Sequence, residues 1–165
     1  MVIKAGEALP SGNFFKMSGD DVVVFNTDDV FGGKRVLVIG VVGAFTPVCG
    51  VRHLPDYLPM ADKFKSSGAV DQIVCLCAAD PFVMKAWAES IGVQDDKILM
   101  LTDNNADFAH ILGLSVDLSS LGLARRSTRF TLLADDRRVE EVFVESEFHQ
   151  VEVTTAEAMM KLIAA

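Results

Sequence analysis

Residues 35–55 read RVLVIGVVGAFTPVCGVRHLP. The opening run, RVLVIGVV, is apolar and rich in β-branched residues, which predicts a strand buried on both faces. Thr46 and Pro47 are the residue types preferred at a helix N-cap and in its first turn, and the apolar spacing predicts a helix that ends near Gly68. The predicted unit is therefore a strand followed by a helix that carries Cys49 in its first turn.

The other segments continue this alternation. Strands and helices are predicted, in order, in DDVVVFNTDDVFGGKR, AVDQIVCLCAADPFVMKAWAESIGV, KILMLTDNNADFAHILGL, TRFTLLADDRRVEEVFVE and TTAEAMMKLIAA. This order predicts an α/β fold, a central mixed β-sheet flanked by helices, in a single domain over residues 1–165. A thioredoxin-like fold fits it best, although the pattern alone does not separate it from other small open sheets. Pro55 and Pro59 predict a kink in the helix that follows Cys49.

Composition restricts the classes of partner and the compartment. The net charge of -8 argues against nucleic acid or an anionic membrane as a partner. No apolar run approaches the roughly 20 residues of a membrane span, and the first residues lack the apolar region of a secretory signal. We therefore expect a cytoplasmic protein, with an organelle also open because a removed transit peptide leaves no trace.

The three cysteines do not have the spacing of a metal site. An odd number of cysteines argues against an extracellular disulfide framework, so reduced thiols are expected. Four ligands at zinc-like spacing are absent among the cysteines and histidines, so we expect no structural metal.

Cys49 occupies a position that favours an anion. The unpaired N–H groups and the positive dipole end of a helix stabilise a thiolate, which is the nucleophilic form of cysteine. The alternative is that Thr46 only caps the helix and that Cys49 is a small buried core residue. A cationic partner would favour the reactive interpretation.

The segment ARRSTRF, residues 124–130, offers such a partner. Alternation along a strand puts the side chains of Arg129 and Phe130 on opposite faces, so Arg129 can point toward a neighbouring strand end. Arg125 and Arg126 are expected to be solvated or paired with surface carboxylates. His53, four residues after Cys49, is expected to be a packed, hydrogen-bonded histidine rather than a base.

Several segments together resemble the type II (type-five) peroxiredoxins, which are thiol peroxidases with a thioredoxin fold. They are GAFTPVC, the HLP that follows it, DPFVMKAW, RRSTRF before TLLADD, and the C-terminal VTTAEAMMKLI. The resemblance implies that Cys49 is the peroxidatic cysteine and reduces hydrogen peroxide and alkyl hydroperoxides through a sulfenic acid. It implies that Thr46 directs its hydroxyl toward the sulfur and the peroxide, and that Arg129 holds the thiolate and polarises the O–O bond. It also implies a homodimer and an antioxidant role that needs no metal, haem or flavin.

Some positions depart from the pattern of this subfamily. A proline usually precedes GAFT and shields the wall of the substrate pocket, where this chain has Val42. Val42, Phe45 and Pro47 are the expected pocket residues, and Val42 is the change that could lower efficiency. No departure removes a reacting group.

The resemblance leaves the recycling of Cys49 open. No cysteine stands in VESEFHQVEV, where some members of the subfamily carry a resolving cysteine. We expect first an external thiol such as glutathione, with glutaredoxin. The second candidate is a disulfide between Cys49 and Cys75, which thioredoxin would reduce. Cys75 stands at the position of the second cysteine in plant-like members of the subfamily. Cys77 is a more distant third candidate.

Two other classes of function compete with a peroxidase. One is a thioredoxin-fold binding module or chaperone in which Cys49 is inert. The other is a disulfide oxidoreductase, which the absence of Cys-x-x-Cys at the start of the helix disfavours.

Overall fold

The computed structural model describes residues 1–164. They contain nine strands: β1 (Asn13–Ser18), β2 (Asp21–Asn26), β3 (Arg35–Val41), β4 (Gln72–Cys77), β5 (Leu99–Thr102), β6 (Ser115–Asp117), β7 (Arg125–Ser127), β8 (Phe130–Asp135) and β9 (Arg138–Val144). The α-helices are α1 (Thr27–Phe31), α2 (Leu54–Tyr57), α3 (Ala61–Ser66), α4 (Pro81–Ser90), α5 (Asp107–Ile111) and α6 (Ala156–Ala164). A π-helix spans Cys49–His53, and 3-10 helices span Leu58–Met60, Asn104–Ala106 and Ser119–Leu121.

Seven strands form one mixed sheet in the order β2-β1-β5-β4-β3-β8-β9. Strand β4 runs parallel to both β3 and β5, whereas the other neighbours in this sheet are antiparallel. The predicted fold class, a central mixed sheet flanked by helices, is confirmed. Because β3 and β4 are parallel, their carboxyl ends meet at one edge of the sheet, and the loop that leads to Cys49 leaves from this edge.

Alternate residues of the central strands pack into two cores. Leu37, Ile39 and Val41 of β3 face one core, which also contains Cys49, and Val36 and Val38 face the other. Both sides of the strand are therefore buried, as its apolar run predicts. Within residues 1–164, no helix combines the length and apolar character that crossing a bilayer requires.

The chain from Pro47 to Ser66 is helical but changes its winding repeatedly. It passes from the π-helix into α2, then through the 3-10 helix Leu58–Met60 into α3. Pro55 lies in the first turn of α2 and Pro59 in that of the 3-10 helix. Proline donates no backbone hydrogen bond, and the structure shows a change of helix type at each proline where the sequence predicts a kink.

Three short features were not predicted. Strand β1 pairs with β2 through a turn at Gly19, where φ is 61°. Helix α1, predicted as a turn, is fixed by a capping box in which Asn26 and Asp29 exchange hydrogen bonds. Strands β6 and β7 have three residues each, too few for a periodic pattern to identify.

Candidate active site

The loop between β3 and the π-helix is tightly turned. Thr46 Oγ1 donates to the carbonyl of Gly43 at 2.6 Å, and the amide of Gly50 donates to the carbonyl of Thr46 at 2.9 Å. Phe45 adopts a left-handed backbone with φ 61°. A Cβ atom on residue 43 would lie 2.9 Å from Thr46 Cγ2, so only glycine fits there without moving the loop.

Cys49 begins the π-helix and is fully buried, with 0% of its surface exposed. The amide of Leu54 donates to the carbonyl of Cys49, closing the wide turn. Single π-turns within helices occur frequently at functional sites. Among the described residues, no side-chain hydrogen bond reaches the Cys49 sulfur.

Arg129 is buried beside the same helical segment. Its Nη1 lies 3.0 Å from His53 Nδ1, and its Nε and Nη2 donate to the carbonyl of Phe148 at 3.2 and 3.0 Å. His53 follows Cys49 by four residues, so the guanidinium lies about one helical turn from the cysteine. These three contacts use three of the five guanidinium N–H groups. Two remain without a hydrogen-bond partner among the described residues.

The protonation of His53 follows from its contacts. Nδ1 faces a guanidinium, which only donates, so Nδ1 must be the unprotonated acceptor and Nε2 must carry the proton. Nε2 lies 3.2 Å from the carbonyl oxygen of Thr154 and donates a hydrogen bond to it. Burial first, and then the charge of Arg129, lower the pKa of His53 to about 4. His53 is therefore neutral at pH 7.

The carbonyl of Thr154 is held by a second layer of contacts. Tyr57 Oη donates to it at 2.6 Å. Glu145 Oε1 accepts from the Thr154 hydroxyl at 2.8 Å and from the amides of Glu152, Val153 and Thr154 at 2.7–2.9 Å. Burial alone would raise the pKa of Glu145, but these donors outweigh it and hold the pKa below its usual value. The Glu145 carboxylate thus anchors residues 152–154, in the same segment as the Phe148 carbonyl that binds Arg129.

Comparison with known proteins places this chain in a family. A family model described as Redoxin matches residues 4–160. The chain is 39% identical over 145 residues to "Peroxiredoxin-2B" of Arabidopsis thaliana, covering 87% of this chain and 88% of that protein. The chain belongs to the peroxiredoxin family.

Solved structures agree with this assignment. The structure of this peroxiredoxin matches a reduced Prx3 of Vibrio vulnificus in complex with H2O2, with a TM-score of 0.91, 35% identity and coverage of 98% and 99% of the two chains. It also matches peroxiredoxin 5 of Alvinella pompejana, with a TM-score of 0.84, 33% identity and 98% coverage of each chain. The resemblance to type II peroxiredoxins seen in the sequence is confirmed, and with it a thiol-dependent peroxidase. Other relatives bear the words chloroplastic and mitochondrial in their names.

Arg129, just before β8, contacts His53 of the Cys49 helix, on the side of the sheet opposite to Phe130. Phe130 packs into the opposite core, and its ring covers residue 40, where a Cβ would lie 2.1 Å from a ring carbon. The Thr46 hydroxyl donates to Gly43 rather than to the Cys49 sulfur in this structure. His53 is a packed, hydrogen-bonded histidine, as expected.

The three residues expected to line the substrate pocket differ in exposure. Val42 is buried, whereas the side chains of Phe45 and Pro47 are exposed. Phe45 and Pro47 flank Thr46 on the outer surface of the loop. Val42 therefore supports the loop from within.

The expectation for Arg126 is wrong, whereas that for Arg125 is confirmed. Arg125 forms an ion pair with the exposed carboxylate of Asp107. Arg126 is only partly exposed; its Nε donates to the carbonyl of Leu123 at 2.7 Å and its Nη1 to that of Val42 at 3.4 Å. Strands β6 and β7, which were not predicted, turn Arg126 toward the active-site loop.

Cys75 and Cys77 lie on the face of β4 that packs against Cys49, and both are buried. Burial, reinforced by the neighbouring thiols, raises the pKa of Cys75 well above its usual value and that of Cys77 to about 12. Both are therefore protonated at pH 7 in the folded protein.

Sequence reasoning missed the groups that hold Arg129 and His53 in place. Two of them, the carbonyls of Phe148 and Thr154, belong to the backbone, and no residue type signals them. Glu145 stands nine residues before Thr154, and its position in the chain does not reveal which donors it accepts from.

Proposed function

We propose that this peroxiredoxin reduces hydrogen peroxide and organic hydroperoxides at Cys49, in antioxidant defence and redox homeostasis. The thiolate of Cys49 attacks one peroxide oxygen, the O–O bond breaks, and water or an alcohol leaves while Cys49 becomes a sulfenic acid. The observation that carries this proposal is the buried Arg129 guanidinium, one turn from a cysteine at the start of a helix, with two unused donors.

Arg129 has the charge and the donors for the leaving oxygen. Its contacts with His53 and Phe148 fix the guanidinium plane while leaving two N–H groups for a peroxide. Donors held in place before the reaction stabilise developing negative charge most effectively. We assign to Arg129 both the stabilisation of the thiolate and the polarisation of the O–O bond.

Thr46 is assigned the orientation of the peroxide. Its hydroxyl proton is engaged by the carbonyl of Gly43 at 2.6 Å, which leaves oxygen lone pairs as acceptors. A hydroperoxide has an O–H donor for the Thr46 oxygen and an acceptor oxygen for the Arg129 guanidinium. Val42, Phe45 and Pro47 are assigned to the pocket around it, and no metal or organic cofactor takes part.

The sulfenic acid returns to the thiol at the expense of a thiol reductant. We propose glutathione with glutaredoxin, or thioredoxin acting on an internal disulfide, as the reductant. Cys75 is the internal partner that the subfamily pattern suggests. We propose the cytoplasm as the compartment, with organelles as the alternative that the names of relatives support.

We further propose that two copies pair through the face around the active-site loop. Phe45, Phe82 and Phe148 are 57%, 64% and 37% exposed. Phe45 and Phe82 follow the carboxyl ends of the parallel strands β3 and β4, and Phe148 supplies the carbonyl that binds Arg129. Three exposed aromatic rings at one edge of a sheet are typical of an interface.

The dimer is tested by the effect of a charge on its apparent mass in solution. Phe82→Asp is expected to convert a dimer to a monomer in size-exclusion chromatography with light scattering. The control is Ile111→Asp, because Ile111 is 62% exposed on α5. A wild-type monomer, or a Phe82→Asp dimer, contradicts the proposal.

Peroxidase activity is tested by peroxide consumption in the presence of dithiothreitol. Cys49→Ser is expected to reduce the rate to background while leaving the circular dichroism spectrum unchanged. Equal rates for the wild type and Cys49→Ser would leave Cys49 without a role in catalysis.

A further inference from the structure

Three thiols share one side of the central sheet. Cys49 packs in the same apolar core as Cys75 and Cys77, and each of the three is 0% exposed. Cys75 and Cys77 are two residues apart in β4, so their side chains point to the same face. Either one has the orientation required to approach Cys49.

The strand register separates the two candidates. Cys77 lies opposite Val41, the last residue of β3, whereas Cys75 lies opposite Ile39. The loop that carries Cys49 leaves the sheet directly after Val41. At about 3.3 Å per residue, Cys75 is roughly 6–7 Å farther from the edge of the sheet at which this loop begins.

Cys77 also contacts the active-site loop directly. The backbone of Ala44, five residues before Cys49, lies near enough to the Cys77 sulfur to lower the pKa of that thiol against the larger effect of burial. Ala44 also packs against the core that contains Cys77. The carbonyl of Cys77 accepts from the amides of Ala79 and Asp103 at 3.0 and 2.9 Å, which holds the strand end in place. The end of β4 that carries Cys77 thus lies beside the active-site loop.

We propose that Cys77, rather than Cys75, is the internal thiol that condenses with oxidised Cys49; this inference rests on the proposed function. The Cys77 sulfur attacks the sulfenic sulfur of Cys49, an S–S bond forms, and the S–O bond breaks. The hydroxyl leaves with the thiol proton of Cys77 as water. Two thiols are thereby oxidised for each peroxide reduced, and an external thiol restores both by exchange.

Geometry and protonation both make this step depend on local opening. A disulfide needs Cα atoms within about 7 Å, and unwinding the first turn of the Cys49 helix frees Cys49 to reach that distance from β4. Cys77 is protonated while buried, because burial raises its pKa to about 12. The condensation therefore follows opening of this turn, and glutathione competes with it for the sulfenic acid.

Intact-mass spectrometry after one equivalent of hydrogen peroxide, without other thiols, tests the proposal. The wild type and Cys75→Ala are each expected to lose two hydrogen atoms. Cys77→Ala is expected to gain one oxygen atom instead, or a further one with excess peroxide. Cys75→Ala and Cys77→Ala each remove one thiol from the same face of β4, so each variant is the control for the other. Fragment ions that separate residues 75 and 77 locate the bridge in the wild type, so the test does not depend on either variant folding.

Two results overturn the proposal and leave the proposed function intact. One is a disulfide that disappears in Cys75→Ala; the other is a wild type that gains oxygen and loses no hydrogen. If the mass of the wild type does not change at all and the peroxide persists, the proposed function fails as well.

Discussion

Arg129 Nη1 and His53 Nδ1 lie 3.0 Å apart in the interior of the protein, and the charge of one residue fixes the protonation of the other. The guanidinium cannot accept a proton, so the imidazole is a neutral acceptor that donates from its other nitrogen to Thr154. The histidine thereby restricts the rotation of the arginine that we assign to the peroxide. His53 is a positioning residue in this scheme, since it acts through Arg129.

Removing the imidazole of His53, which accepts a hydrogen bond from Arg129, is expected to slow peroxide reduction although His53 is not a reacting group. His53→Leu cannot accept from Arg129, so the second-order rate constant for peroxide is expected to fall roughly 10- to 100-fold through misplacement of the guanidinium. His53→Gln should recover part of the rate, because its amide can accept from Arg129 and donate to Thr154. Stopped-flow kinetics measures both. The control is His110→Gln, because His110 is exposed and bonds to Ser115; equal rates for His53→Leu and the wild type would exclude a positioning role.

The depressed pKa of His53 also predicts how stability depends on pH. Its pKa is about 4 in the folded protein and 6.5 in the unfolded chain, so between these values the unfolded chain binds more protons. The contribution of buried, neutral His53 to the free energy of unfolding is complete above pH 6.5. It is lost as the pH falls toward 4, by up to about 3 kcal/mol. Urea unfolding of the wild type and of His53→Gln across this window measures it. The difference in unfolding free energy between the two proteins should change in favour of the variant as the pH falls; parallel curves would contradict the prediction.

The two arginines near the active-site loop should differ in their effects. Arg129→Lys keeps the charge but loses the fork that bonds Phe148 and His53, and is expected to slow peroxide reduction about 100-fold. Arg126→Lys, which holds the carbonyls of Leu123 and Val42, should cost much less. Arg125→Lys on the surface is the control. An unchanged rate for Arg129→Lys with a large loss for Arg126→Lys would mean that the wrong arginine has been assigned to the peroxide.

A pair of glycines tests the geometry of the loop. Gly43→Ala places a methyl group 2.9 Å from Thr46 Cγ2 and 3.0 Å from Arg126 Nη1, so the loop must shift and the rate should fall at least 10-fold. At Gly50 the nearest atom to an added Cβ is Trp87 Nε1 at 3.5 Å, an ordinary contact. Gly50→Ala should therefore retain its activity, with equal or greater stability because alanine favours helices. A reversed order would show that the loop does not limit the reaction.

Much of the fold follows from the sequence because the central strands and the longer helices carry clear local signals. The β-branched run before Val42 and the Asp80–Pro81 start of α4 are examples. Short elements such as β6 and β7 lack such a signal, because their position depends on pairing between distant residues. Arg126 was misjudged for this reason.

The sequence motifs point to the residues that we assign to the chemistry, but not to the groups that hold these residues in place. Cys49, Thr46 and Arg129, to which we assign the chemistry, stand in motifs that can be recognised from residue type and order. Backbone carbonyls hold Arg129 and His53, and a carbonyl is present at every position of every chain. Only the fold shows which of them accept a hydrogen bond.

The central claim is that the sulfur of Cys49 is the nucleophile that attacks hydroperoxides. The most direct test uses the Cys75→Ala/Cys77→Ala variant, in which Cys49 is the sole cysteine, mixed rapidly with one equivalent of hydrogen peroxide at pH 7. Our account predicts a burst in the emission of Trp87, the single tryptophan, together with the gain of one oxygen atom on Cys49. A folded variant that leaves the peroxide unconsumed and Cys49 unmodified would contradict it.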